Sequence, residues 1–307
     1  SNPLAGQIWY NTTSNTVKGF VISTGSWATG GSLNQAKYSM AGAGTKTAGL
    51  GFGGAPGSIV NTESYNGTSW TEVNNLGTAR YGMGGAGTQT AALGFGGFGP
   101  SLSAATERWN GTNWTAVNSM NTARYYGGGT GASNTAALAF GGDTPGGTSA
   151  NTEIWNGTNW TEVANLNTAR VFLTAAGTST SALAVGGGDP PQTATESWNG
   201  SNWTAKNTLN QGRQDLGGSG ANNTSAVVFG GATNDGGNPN FAQTETWNGT
   251  NWTEVGNLNT IRKFVVGTGG GAAVATALAF GGQSPSPTTA TEEFSVGPAT
   301  VTFGSYS

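Results

Sequence analysis

Thr152-Glu153-Ile154-Trp155-Asn156-Gly157-Thr158-Asn159-Trp160-Thr161-Glu162-Val163, followed by Leu166-Asn167-Thr168-Ala169-Arg170, is the stretch on which the reading of this chain turns. Two tryptophans five positions apart bracket Asn156-Gly157, a strong hairpin signal because both residues accept positive φ. The aromatics then lie on adjacent strands of one sheet. Close copies begin at Thr62, Thr106, Thr195 and Thr244, and self-similarity at a period of roughly 20 to 50 residues means stacked repeat units.

The register can be followed by marker residues. Glycine pairs close an apolar run at Gly53-Gly54, Gly96-Gly97, Gly141-Gly142, Gly187-Gly188, Gly230-Gly231 and Gly281-Gly282. After each pair come a glutamate (Glu63, Glu107, Glu153, Glu196, Glu245, Glu292) and, two positions on, an aromatic (Tyr65, Trp109, Trp155, Trp198, Trp247, Phe294). A second tryptophan follows at Trp70, Trp114, Trp160, Trp203 and Trp252, but none follows Phe294. A basic residue opens each unit: Lys37, then Arg80, Arg124, Arg170, Arg213 and Arg262. The tryptophan missing at the end is supplied at the start, where Gly25-Ser26-Trp27 precedes Leu33 and Lys37 as Thr158-Asn159-Trp160 precedes Leu166 and Arg170. The pattern predicts an all-β, six-bladed propeller with four-stranded blades, closed by the N-terminal strand. Such a ring leaves no free sheet edge.

Apolar run, Gly-Gly, polar loop, aromatic pair and final basic residue together resemble the kelch repeat, six times over about residues 22 to 300. The resemblance implies four-stranded blades around a central axis. Composition agrees: 55 glycines, 11 tryptophans and only 8% charged residues in 307 describe a turn-rich β protein. Along Ala136-Ala137-Leu138-Ala139-Phe140 the large and small side chains alternate, as a strand requires.

Composition also excludes. With no cysteine and no histidine, disulfides, thiolate metal sites and the commonest general base are absent. Some kelch propellers are copper oxidases, but that chemistry uses His, Cys and Tyr. No cofactor, metal site or catalytic centre is expected, and the chain is read as a non-enzyme. A net charge of −3 without a basic run argues against nucleic-acid binding. No apolar stretch is long enough for membrane insertion. The Asn-Gly-Thr and Asn-Trp-Thr sequons are accounted for by the hairpins.

The repeated glutamates share a strand face with the aromatics, so each carboxylate is expected in a buried seam, where it needs a partner. The arginines Arg80, Arg124, Arg170, Arg213 and Arg262 are the obvious partners, making both sets structural; the alternative is an arginine ring for an anionic ligand. Length varies most in the loops that follow the glycine pairs, and diversity on a constant scaffold is where recognition sits. Phe98, Asp143, Asp189, Asp235 and Phe241 are the least repeat-like residues there and the candidate binding residues.

Residues 1–20 lack the repeat markers and are read as an N-terminal strand or hairpin extension, with residues 21–307 as the propeller. Ile8, Trp9 and Tyr10 are the candidate inter-subunit contacts, since exposed aromatics at that density seek a partner surface. The segment from Gly6 to Phe20 resembles short hairpins of tail-fibre and other structural proteins of tailed phages, those of marine and cyanobacterial hosts above all. The Trp-Asn-Gly-Thr-Asn-Trp-Thr unit resembles propellers of such virions. This implies a virion structural or adhesion module (tail fibre, baseplate or decoration protein), part of a larger assembly whose partners are other virion proteins or a host-surface glycan. The alternative is an extracellular or cell-surface bacterial adhesin of lectin type.

Overall fold

A computed structural model of the protein describes residues 8–14, 16–22, 25–233, 240–268 and 276–303. It is all-β: six blades of four antiparallel strands, five of them hydrogen-bonded in chain order from the axis outward. Blade three, for example, runs Gly128–Ser133, Ala136–Phe140, Thr152–Trp155, Trp160–Val163. In blade six the strands Val266–Gly267, Thr276–Phe280 and Thr291–Ser295 come from the C-terminal part and the outermost, Ser26–Thr29, from the N-terminal part, with Phe294 opposite Trp27. The ring is closed as the unmatched tryptophan predicts.

Glycine takes the innermost strands because neighbouring blades meet there backbone to backbone. A Cβ on Gly85 of blade two would stand 2.6 Å from the Gly42 carbonyl of blade one, closer than any side chain allows. One strand further out the alternation does the packing. Leu138 and Phe140 of blade three bury against Ala182 and Ala184 of blade four, while Ala137 and Ala139 receive Leu93 and Phe95 of blade two. In these seams a large face meets a small one, and between blades four and five Leu183 and Val185 meet Ala226 and Val228.

The second tryptophan of each blade makes the outer stitch. Its Nε1–H donates to the hydroxyl of the threonine opening the third strand of the preceding blade: Trp114 to Thr62, Trp160 to Thr106, Trp203 to Thr152, Trp252 to Thr195, Trp27 to Thr244 and Trp70 to Thr291, at 2.9 to 3.1 Å. In five blades its ring packs on the phenylalanine of that neighbour's second strand, as Trp160 on Phe95 with centroids 4.9 Å apart, and Trp252 meets Val185 in that place. Where the first aromatic is tryptophan its N–H bonds within its own blade, Trp109 donating to the Gln89 carbonyl in the turn between strands one and two.

The hairpins form as expected, but not with positive φ at both residues of each Asn-Gly. Trp109 stands opposite Trp114, so the loop has four residues, and only the glycine of each Asn-Gly has positive φ, +93° at Gly111. The asparagine contributes through its side chain instead: Asn110 Oδ1 accepts the Thr112 and Asn113 amides, an Asx turn. In blade four the φ pattern and hydrogen bonds of the other glycine pairs fall on Gly186-Gly187, one residue before the marker position.

Ile8–Asn11 and Thr16–Ile22 form a hairpin, and Pro298–Phe303 adds to its second strand, giving a three-stranded sheet apart from the blades. Residues 1–7 of the expected extension lie outside the described residues.

Two outcomes test the closure. Trp27 is buried, and Trp27→Ala is expected to cost about 3–5 kcal/mol in denaturant unfolding, whereas Thr244→Val, which deletes only the hydrogen bond, costs about 1 kcal/mol. On the other side of blade six Tyr65 Oη donates to Glu293 Oε1 at 2.7 Å, and burial together with that bond pushes the Tyr65 phenol up to about 12. Folding therefore favours the protonated phenol. Its contribution is complete below the ordinary value of 10.0 and lost as pH rises towards 12, so Tyr65→Phe is expected to flatten the fall of Tm across that interval.

Candidate functional site

Six buried ion pairs order the connections between blades. Lys37 meets Glu63 at 2.8 Å, Arg80 Glu107 at 2.8 Å, Arg124 Glu153 at 2.7 Å, Arg170 Glu196 at 3.0 Å, Arg213 Glu245 at 2.6 Å and Arg262 Glu292 at 2.8 Å. Each cation lies just before the first strand of a blade and its glutamate on the third strand of that blade. The second guanidinium nitrogen donates to backbone carbonyls, Arg124 Nη1 to Gly141 and Asn151. Burial lowers the pKa of all five arginines, and each glutamate's charge and hydrogen bond oppose it. The other carboxylate oxygen accepts an amide from the incoming connection. For Glu153 this is Asn121, through both its backbone N–H and Nδ2, and Asn34, Asn167, Asn210 and Asn259 repeat the arrangement. Sequence reasoning missed these asparagines, although their signal was visible in Leu166-Asn167 and its copies. Blade two has Gly77 there and keeps only the backbone bond.

Two residues beyond each cation the chain turns onto the axis. Ser39, Gly82, Tyr126, Phe172, Asp215 and Phe264 all have φ between 51° and 62°. Their backbones form a closed ring: Gly82 N–H donates to Ser39 C=O, Tyr126 to Gly82, Phe172 to Tyr126, Asp215 to Phe172, Phe264 to Asp215 and Ser39 to Phe264, at 2.8 to 3.3 Å. Glycine is at ease in this conformation. For the five other residues it costs about 1–2 kcal/mol each, and a bulky residue there is an outlier.

The side chains carried on this ring meet in an aromatic cluster. Tyr126 lies 4.8 Å from Phe172, 5.8 Å from Phe264, 4.8 Å from Tyr125 and 6.1 Å from Tyr81. Phe98 lies between Tyr81 and Tyr125 at 5.7 and 5.6 Å, and Tyr38 packs on Phe264 at 5.7 Å. All seven rings are half-buried. Tyr126 Oη and Ser39 Oγ are 3.2 Å apart, and burial is the main cause of the raised pKa of Tyr126 and of Tyr125, the latter also hydrogen-bonded to Asp143. A cavity of about 120 Å³ lies on the axis, lined by the ring residues and by the starts of the inner strands. Lys263 places its ammonium 5.2 Å from the Phe264 ring centre.

The residues singled out in the variable loops separate accordingly. Phe98 belongs to the aromatic cluster, and Asp143, half-buried, pairs with Tyr125 and opens a small hairpin with Gly147–Thr148. Asp189 is exposed at its loop tip. Phe241 is buried, its carbonyl accepting the Arg262 amide, and does not face solvent. Asp235 lies outside the described residues. The arginines end on carboxylates and carbonyls. On the N-terminal hairpin Ile8 and Tyr10 are exposed, 67% and 56%, while Trp9 is half-buried.

Comparison of the chain with protein-family models and with curated proteins finds no match. Identity of fold therefore rests on the geometry alone.

Replacing one member of a buried pair leaves an uncompensated charge. Glu153→Leu is expected to cost about 3–5 kcal/mol in denaturant unfolding, while the double replacement Arg124→Met/Glu153→Leu recovers most of that. A double variant as unstable as the single one would mean that the hydrogen bonds to Gly141, Asn151 and Asn121 matter more than the charge.

Proposed function

We propose that this six-bladed propeller is a kelch-type, non-enzymatic structural and adhesion module of a tailed-phage virion, acting through the face that carries the axial aromatic cluster. The observation that carries the reading is the division of labour in the repeat. The repeated charges are spent on architecture, whereas the residues that break the repeat, among them Phe98 and Asp143, gather on one face. Catalysis needs unlike groups free to act. Here the repeated carboxylates are bound to cations, Glu72 accepts the Asn61 amide and Glu293 the Tyr65 hydroxyl. The exposed Ile8 and Tyr10 on a hairpin outside the ring suit attachment to another protein of an assembly.

An antibody against the propeller, applied to tailed-phage particles purified from the source of the sequence, is expected to label them in electron microscopy. Label confined to host-cell envelopes would favour a bacterial surface adhesin instead. Attachment of the labelled protein to intact host cells is expected to fall sharply in Phe98→Ala with Tm nearly unchanged. Glu107→Gln is expected to lower Tm and spare attachment. If Phe98→Ala attaches as well as the unaltered protein, recognition does not lie on this face.

A further inference from the structure

The axial ring poses a question that its architecture does not answer. Six blades bring one residue each to the same left-handed position, and blade two shows with Gly82 that glycine closes the hydrogen-bond ring, Gly82 accepting from Tyr126 and donating to Ser39 at 2.8 Å in both bonds. Stability alone would place glycine in every blade. Three blades instead carry Tyr126, Phe172 and Phe264, whose rings remain partly exposed around the cavity. Strain retained where all the blades converge points to a use for those side chains.

We propose that the axial cluster is a carbohydrate site that takes one terminal hexose ring, with Phe172, Tyr126 and Phe264 as its stacking surface; the proposal rests on the adhesion reading above. Three features select this ligand class. Half-exposed aromatic faces meet the C–H faces of a pyranose. The rim is polar and carries both signs of charge: Asp215 lines the cavity, the Lys263 ammonium lies beside Phe264, and the Tyr125 hydroxyl with Asp143 completes a set of hydrogen-bond partners for sugar hydroxyls. The cavity of about 120 Å³ is smaller than the roughly 150 Å³ that admits one benzene ring, so it receives part of one terminal sugar ring laid on the aromatic surface and not a chain interior. A net charge of −3 makes a polyanion a poor alternative.

The test uses the whole protein and defined probes: methyl α-glucoside, methyl α-mannoside, methyl β-galactoside and N-acetylglucosamine in saturation-transfer NMR, with an array of oligosaccharides bearing the same terminal sugars. At least one probe is expected to bind. Phe172→Gly is expected to weaken it about tenfold, the loss of one stacked ring, and Phe172→Tyr to restore it. Melting curves report folding separately: because φ is +59° at residue 172, Phe172→Gly is expected to melt at or above Phe172→Ala. No glycan bound above the level of the triple variant Tyr126→Gly/Phe172→Gly/Phe264→Gly, or equal affinity in Phe172→Gly, would overturn the site. So would capture of a lysine-rich peptide in place of any sugar. If the probes fail while attachment to cells still depends on Phe98, the adhesion reading stands and only the sugar is wrong. Loss of both removes both.

Discussion

A carboxylate held between packed strands has given up its water, and much of this propeller's geometry follows from how that loss is made good. Glu153 recovers its partners from the connection entering its blade: a guanidinium from Arg124, and a backbone amide and a side-chain amide from Asn121. Arg124 in turn holds the carbonyls of Gly141 and Asn151 at either end of the loop between strands two and three. One pair therefore fastens the connection and the variable loop to the third strand. The chain leaves this clamp only two residues before the axis, so the clamp also aims Tyr126.

Repetition turns a local clamp into a ring. Each blade is tied to the preceding one on the axis by a single backbone hydrogen bond and at the outside by a tryptophan bonded to a threonine. Between these lie the Leu/Phe face of one second strand and the Ala face of the next. Closure requires that the contact between blades six and one match the others, and it does: Trp70 donates to Thr291 and packs on Phe280 with centroids 4.8 Å apart. The strand carrying Trp27 brings the N-terminal part of the chain into the same blade as Thr291, so opening the ring means breaking a strand pairing.

The sequence made the ring and its closure legible because they rest on residues whose identity the geometry dictates: glycine pairs in left-handed turns, Asn-Gly hairpins and paired aromatics. The ion pairs were legible because burial leaves a carboxylate few options. The axial site was not. Its defining position has no fixed residue, being Ser39, Gly82, Tyr126, Phe172, Asp215 and Phe264 in successive blades, and what they share is a φ value that no pattern of side chains records. Phe98 could be chosen as an exception to the repeat, but its neighbour Tyr125 comes from the next repeat, and Tyr81, of its own repeat, lies seventeen positions away and meets it only through a backbone bridge. Phe241 was chosen on the same grounds and is buried, because departure from a repeat says that a residue is particular, not which way it faces.

Differences around the axis are coordinated and not random drift. A Cβ on Gly82 would stand 3.1 Å from the Tyr126 ring, so the smallest residue on the ring is the one over which its largest leans. Tyr126 thereby passes across blade two and brings its hydroxyl to Ser39 of blade one. Any larger residue at 82 would displace Tyr126, and with it the contacts to Phe172 and Phe264. A backbone of near six-fold symmetry thus carries an asymmetric floor in which small and large side chains are matched across blades, and that matching distinguishes one direction on the face from the other five.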